Sequence, residues 1–204
     1  MKLYVIRHCE SEDDIINAYG GCADFDLTEK GREIATNHIN NIKDLGIEKI
    51  FTSPYKRAKH VADIFNNELK CEYEIVDGLK GMNIYGVLSG LNKDYARKLF
   101  AYLFDDPKYK SFGYYTGNTF KGGETVENFD NRVKKAFNYI VSQNYKTVAI
   151  VTHGGVFRSL YKNILNKDEY IADILDVGTI VLNYNDGVFN IESMSGVIFN
   201  KKDW

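Results

Sequence analysis

The stretch Leu3-Tyr4-Val5-Ile6-Arg7-His8-Cys9-Glu10-Ser11 opens on four apolar residues and ends abruptly on an arginine and a histidine. An apolar run without polar alternation describes a strand buried on both faces, as in a parallel sheet covered by helices. In an open parallel sheet the carboxyl ends of the strands border the ligand crevice, so charge placed there faces a site. An imidazole beside a guanidinium suits attack on a phosphoryl group, the neutral ring as nucleophile and the planar cation gripping the oxygens. The same residues also fit a strand that simply runs out into polar surface, and the rest of the chain has to decide.

Two further stretches repeat the pattern. Thr147-Val148-Ala149-Ile150-Val151-Thr152 reads as a buried strand that also ends on a histidine, His153-Gly154-Gly155, with a helix from Val156 to Leu165. Ile47 to Thr52 reads as a short strand leading to Ser53-Pro54, serine as N-cap and proline at the first helical position. Ala58, Val61, Ala62, Phe65 and Leu69 form the buried stripe of that helix. Arg57 falls in its first turn, where free backbone N–H groups and the macrodipole favour an anion.

Around these strands the periodicity is mostly helical. Thr28 caps a helix whose Ile34, Ala35, Ile39 and Ile42 share a face, with Gly46 at its stop. Glu124 to Gln143 places Val126, Phe129, Val133, Ala136, Phe137 and Ile140 on one face. Residues 72 to 76 suit another strand, and Thr179 to Tyr184 with Val188 to Met194 suit a hairpin around Asn185-Asp186-Gly187. His38 reads as a packed or surface group, and His60, one turn after Arg57, faces away from the strand ends and is assigned no role. From 77 to 123 the pattern loosens into glycines and aromatics, among them Tyr85, Tyr95, Phe112, Tyr114, Tyr115 and Phe120, with a helix over about 92–104. That region reads as a lid insertion over the strand ends. The expected fold is α/β, a three-layer sandwich around a mostly parallel sheet with the last strand antiparallel, forming one domain over 1–204.

Composition narrows the function. At 204 residues, 44% hydrophobic and 26% charged, the chain matches an ordinary globular protein with one substantial core. A formal charge of −2 lacks the basic excess of a nucleic-acid binder, so any phosphate must be held by a few focused arginines. Cys9, Cys22 and Cys71 form neither a paired framework nor a metal-ligand spacing, which fits a reducing cytoplasm. No apolar run approaches a membrane span, and Arg7 and His8 interrupt the apolar segment that a signal peptide would need.

Three strand ends would therefore bring Arg7, His8, Arg57 and His153 to one edge, around the oxygens of a tetrahedral dianion. Each charge-assisted hydrogen bond there is worth about 1.5–3 kcal/mol net. A nucleophilic nitrogen in the same cradle makes a covalent phosphoenzyme feasible, and cationic side chains can compensate the transferring charge without a metal or other cofactor.

Taken together, the sequence resembles the histidine phosphatase superfamily, the phosphoglycerate-mutase-like enzymes. The resemblance runs through Val5 to Ser11, Gly20-Gly21 to Gly31, Thr52-Ser53-Pro54-Tyr55-Lys56-Arg57-Ala58, Gly122-Gly123-Glu124-Thr125 and Thr152-His153-Gly154-Gly155-Val156. It implies a phosphomonoester hydrolase in which His8 is phosphorylated during turnover. Arg7, Arg57, Gly154 and His153 would bind the phosphoryl group of a small substrate, with His153 also stabilising the transition state.

Three departures bear on the mechanism. Cys9 stands where the family usually has glycine, and Asp14 where many members place a phosphate-holding asparagine. No acid occurs in Leu79 to Gly90, where the family's proton donor normally lies. Either the donor is missing or another carboxylate has taken over, and Glu124 is the candidate; its alternative role is to complement a helix dipole. Mutase-type phosphotransfer and a degenerate phosphate-binding module remain competing readings. Asp24-Phe25-Asp26-Leu27-Thr28 also fits the Asp-x-Asp-x-Thr pattern of metal-dependent phosphatases, but Tyr19 to Ala23 makes a poor strand to feed it.

Overall fold

The computed structural model describes residues 1–109 and 113–200, so Phe112 lies outside the described residues. The chain runs β1 (Lys2–Arg7), α1 (Glu12–Ile15), α2 (Glu29–Ile42), β2 (Lys49–Thr52), α3 (Lys56–Leu69) and β3 (Glu72–Ile75). It continues through α4 (Lys93–Leu99), α5 (Ala101–Phe104), α6 (Val126–Val141), β4 (Thr147–Thr152) and α7 (Gly154–Ser159), which widens into a π-helical turn over Leu160–Ile164. The long strands β5 (Tyr170–Asn185) and β6 (Val188–Asn200) close it.

The six strands form one sheet in the order β3-β2-β4-β1-β5-β6. The first four are mutually parallel, β5 runs antiparallel to β1, and β6 runs antiparallel to β5. Period-2 alternation sends Leu3 and Val5 of β1 into one core with Phe129, Val133 and Phe157. Tyr4 and Ile6 enter the other, with Ala35, Ala58, Val61 and Phe65. This is why the strand reads as uninterrupted apolar sequence: each face is covered by helices. The result is the expected three-layer α/β sandwich.

Local signals fared unequally. Thr28 does cap α2, its hydroxyl accepting from Gly31 N at 2.9 Å. Ser53 does not cap α3: the helix starts at Lys56 with Tyr55 before it, and Ser53 turns to another task described below. The expected 92–104 helix breaks at Phe100 into α4 and α5. The terminal hairpin is longer than expected, because a register shift between Ile174 and Thr179 lets the strands resume pairing as far as Tyr170 and Asn200. At that irregularity Gly196 passes so close to Gly178 that a Cβ would lie 3.0 Å from its Cα, and the broken alternation hides the strand.

Candidate active site

Strand register builds the site. Arg7 of β1 pairs with Thr152 of β4, so the next residues, His8 and His153, leave adjacent strands at the same level. Their rings meet edge to face with centroids 4.9 Å apart, close to the strand spacing itself. On the other side of β4, Thr52 pairs with Val151, which brings Ser53 beside His153. Ser53 Oγ lies 2.8 Å from His153 Nε2 and accepts from Tyr55 N at 3.2 Å.

The two imidazoles are 7% and 4% exposed. His8 Nδ1 is 2.7 Å from the Cys9 carbonyl, which can only accept, so Nδ1 carries the proton and Nε2 keeps its lone pair. Burial, reinforced by Arg7 and Arg57, holds His8 well below the usual histidine range. Burial and then Arg57, His8 and Arg7 do the same for His153. Both rings are therefore neutral in the folded protein at neutral pH, the form a nucleophile needs.

A stability prediction follows. In the unfolded chain both rings titrate near pH 6.5, so below that pH the unfolded state takes up protons that the folded state refuses. The histidine contribution is fully present above the unfolded value and is lost as pH falls through it. The slope reaches about 1.4 kcal/mol per pH unit for each ring. Urea unfolding between pH 7.5 and 5 should show the decline, and a flat profile would contradict neutral burial of the pair.

The arginines approach from either side. Arg57 is buried in the first turn of α3, where its guanidinium donates to the carbonyls of Ala23 (3.0 Å) and Gly21 (3.5 Å). Those carbonyls aim the fork, and Tyr55 lies under it, its ring centroid 5.2 Å from Cζ. Arg7 donates to Ile174 O at 2.6 Å and stands 3.4 Å from Asp176. A cavity of about 540 Å³ opens above, lined by Arg7, His8, Arg57, His153 and Gly154 together with the lid residues Tyr85, Lys93 and Tyr114. Its site at the carboxyl ends of parallel strands is the general location for ligands in open α/β sheets.

Glu124 is not brought to this cluster. It precedes the α6 cap, Thr125, so it is not a first-turn acid either. Both its oxygens are taken by Arg132, Nε to Oε1 at 2.7 Å and Nη2 to Oε2 at 2.8 Å, and it does not line the cavity. This corrects its expected role: a carboxylate with both oxygens bound to an arginine fork, outside the cavity, is badly placed to deliver a proton to a leaving group there. Asp14 does line the cavity, with Oδ2 accepting from Ser11 N at 3.0 Å. Asp13 beside it accepts from Ser11 Oγ at 2.7 Å. Cys9 is fully buried, its backbone is not left-handed, and burial pushes its thiol up to about 12, so it stays protonated and inert. Asp24 accepts from Lys56 N, while Asp26 engages Arg32 and His60, which gives His60 a structural partner and the Asp-x-Asp pattern no metal cluster among the described residues.

Sequence reading missed Ser53 as the partner of His153, Arg132 as the holder of Glu124, and Lys93 and Arg158 as cavity cations. Neither of the last two forms an ion pair among the described residues; Arg158 donates to the carbonyls of Ile171 and Ala172. The Ser-Pro pair did flag Ser53, but as a cap.

A nucleophile-ready imidazole, a second buried histidine and two aimed guanidiniums around one cavity define a phosphoryl-handling α/β enzyme. The family model of the histidine phosphatase superfamily (branch 1) matches residues 3–195, and the chain belongs to that superfamily. It is 28% identical over 177 residues to phosphoserine phosphatase 1 of Hydrogenobacter thermophilus, covering 82% of this chain and 78% of the relative. It is 33% identical over 175 residues to a 2,3-bisphosphoglycerate-dependent phosphoglycerate mutase of Chelativorans sp., covering 78% of each. Among solved structures, Bacillus stearothermophilus YhfR superposes with a TM-score of 0.82 at 23% identity, over 97% of both chains. No helix among the described residues is long and apolar enough to cross a membrane.

Proposed function

We propose that the protein hydrolyses small phosphate monoesters through a phosphohistidine on His8. The observation that carries this reading is the His8 ring itself, its Nδ1 proton tied to the Cys9 carbonyl and its Nε2 free beside His153 and two guanidiniums. Nε2 attacks phosphorus, the P–O ester bond breaks, and the leaving oxygen takes a proton from the medium or a cavity group. Water then attacks phosphorus, giving up a proton to the medium or the same cavity group, the P–N bond breaks, and inorganic phosphate leaves with His8 restored. Arg7 and Arg57 hold the equatorial oxygens. Ser53 O–H donating to His153 Nε2 would place the remaining ring proton on Nδ1, which is buried and without a partner among the described residues. That N–H is then available to a phosphoryl oxygen.

The cationic cradle supports turnover without a metal, and the three free thiols support a reducing, cytoplasmic setting. The test is a panel of aryl and alkyl phosphate monoesters assayed in EDTA. Hydrolysis should persist in the chelator, and with Glu124 withdrawn from the cavity, aryl esters should be cleaved faster by up to about 10²–10⁴, the usual worth of a general acid. Glu124→Gln should lower both classes equally. A selective loss on alkyl esters would restore Glu124 as the donor, and phosphate binding without turnover would favour a binding module.

Mutase-type transfer is the second reading. Lys93 and Arg158 favour it, since both line the cavity, form no ion pair among the described residues and can take a second anionic group on the substrate. Interconversion of phosphoglycerates, faster than hydrolysis of either, would select it.

A further inference from the structure

Arg132 lies in the second turn of α6, carries no partner that periodicity could announce, and uses every N–H of its guanidinium. Besides the two bonds to Glu124, Nη1 donates to Gly78 O at 2.9 Å and Lys80 O at 2.8 Å, and Nη2 donates to Gly81 O at 3.1 Å. Its plane is supported from below by Phe129, 4.6 Å from ring centroid to Cζ. The loop it grips is pressed onto α6, where a Cβ on Gly78 would fall 2.8 Å from that of Ala136. Thr152, at the end of β4, holds the same loop from the sheet side, its hydroxyl donating to Leu79 O at 2.7 Å.

The far side of this loop touches the active site. A Cβ on Gly81 would lie 3.2 Å from His153 Cγ and 3.5 Å from Nδ1, so the bare glycine backbone packs directly against the ring. Ser53 fixes the Nε2 side, while His8 and Tyr55 approach edge-on with centroids at 4.9 and 5.5 Å. Gly81 packs against the ring beside Cγ and Nδ1. Arg132 and Glu124 themselves stay outside the cavity lining.

We propose that Arg132 is a positioning residue for His153, clamping the Gly78–Gly81 loop through three carbonyls so that Gly81 sets where the ring rests. Glu124 holds the clamp: it neutralises the guanidinium and fixes its plane through the fork. Lysine would keep the charge but not the geometry, since a point ammonium cannot serve three carbonyls and a bidentate carboxylate together. Orienting groups of this kind act on the transition state through the residue they hold, and a misplacement near 1 Å costs about 10²-fold in rate.

The proposal rests on the esterase reading for its kinetic test alone. Arg132→Lys, Arg132→Met and Glu124→Gln are compared with the parent, each with its thermal midpoint measured. In Arg132→Lys, kcat should fall by about 10²-fold while KM and inhibition by inorganic phosphate stay within about twofold, the pattern of an interaction made only in the transition state. Inhibition by orthovanadate, which can become five-coordinate, should weaken in step with kcat. Independently of turnover, 15N-histidine labelling should show the His153 ring signals shifted or multiplied in the Arg132 variants, with the His38 signals unchanged. If Arg132→Met does not fold, Arg132→Lys decides. Equal weakening of phosphate and vanadate, or unchanged kcat with unchanged His153 signals, would overturn the proposal. A parent protein inactive on all esters would instead sink the esterase reading and leave the ring signals to judge Arg132.

Discussion

His8→Ala is expected to remove turnover almost completely, on the order of 10⁴-fold or more, because it deletes the only proposed acceptor of the phosphoryl group. The same substitution should remove a covalent phosphate that survives alkali but is lost in acid, the signature of an N–P bond. Rapid quench with labelled substrate and intact-mass detection would show both results. The fold should survive, because the ring's hydrogen bond among the described residues is to the carbonyl of the next residue and the strand ladder of β1 ends at Arg7. A cooperative thermal transition in His8→Ala checks this. Label persisting in the variant, or found on a serine or aspartate, would end the covalent mechanism at His8.

Arg57→Ala carries the second largest expected effect. The side chain is buried, so its charge acts in a site of low effective dielectric, and each charge-assisted bond to a phosphoryl oxygen is worth about 1.5–3 kcal/mol. Losing one or two such bonds should weaken inhibition by inorganic phosphate by about 10–100-fold, and turnover by more, since charge concentrates on the oxygens in the transition state. Arg57→Lys should recover little. Both guanidinium contacts, to Ala23 O and Gly21 O, depend on a planar fork reaching two carbonyls, and lysine cannot hold that orientation. Phosphate inhibition measured alongside kcat separates grip from chemistry: unchanged inhibition in Arg57→Ala would show that the side chain points away from the anion.

The geometry also alters the question of the proton donor. With Glu124 spent on Arg132, the carboxylates that line the cavity among the described residues are Asp13, Asp14 and Asp173. Asp14 and Asp173 each accept from a backbone N–H, of Ser11 and Ile174 respectively, and Asp13 from the Ser11 hydroxyl. None occupies the loop against His153, where Gly81 sits instead. The expected preference for aryl over alkyl esters therefore rests on Gly81, and no acid, facing that ring.

What the sequence determined by itself was the scaffold and the identity of the four central side chains. Buried strands announce themselves as apolar runs because both faces are covered, and the residue that ends such a run stands at the sheet edge where ligands bind. Arg7, His8 and His153 were legible for that reason, and Arg57 because a first helical turn is an anion site by construction. Tertiary structure decided the partners. Ser53 meets His153 across 100 residues of chain, and Arg132 reaches the carbonyls of Gly78 and Gly81 across 54 and 51. Ser53 looked like a cap and Glu124 like a free acid, because local pattern records what a side chain can do, whereas packing of distant segments selects which of its options is satisfied. Hydrogen bonds to carbonyls in irregular loops leave no periodic trace, so the clamp around His153 became visible only once α6, the Gly78–Gly81 loop and the end of β4 were brought together.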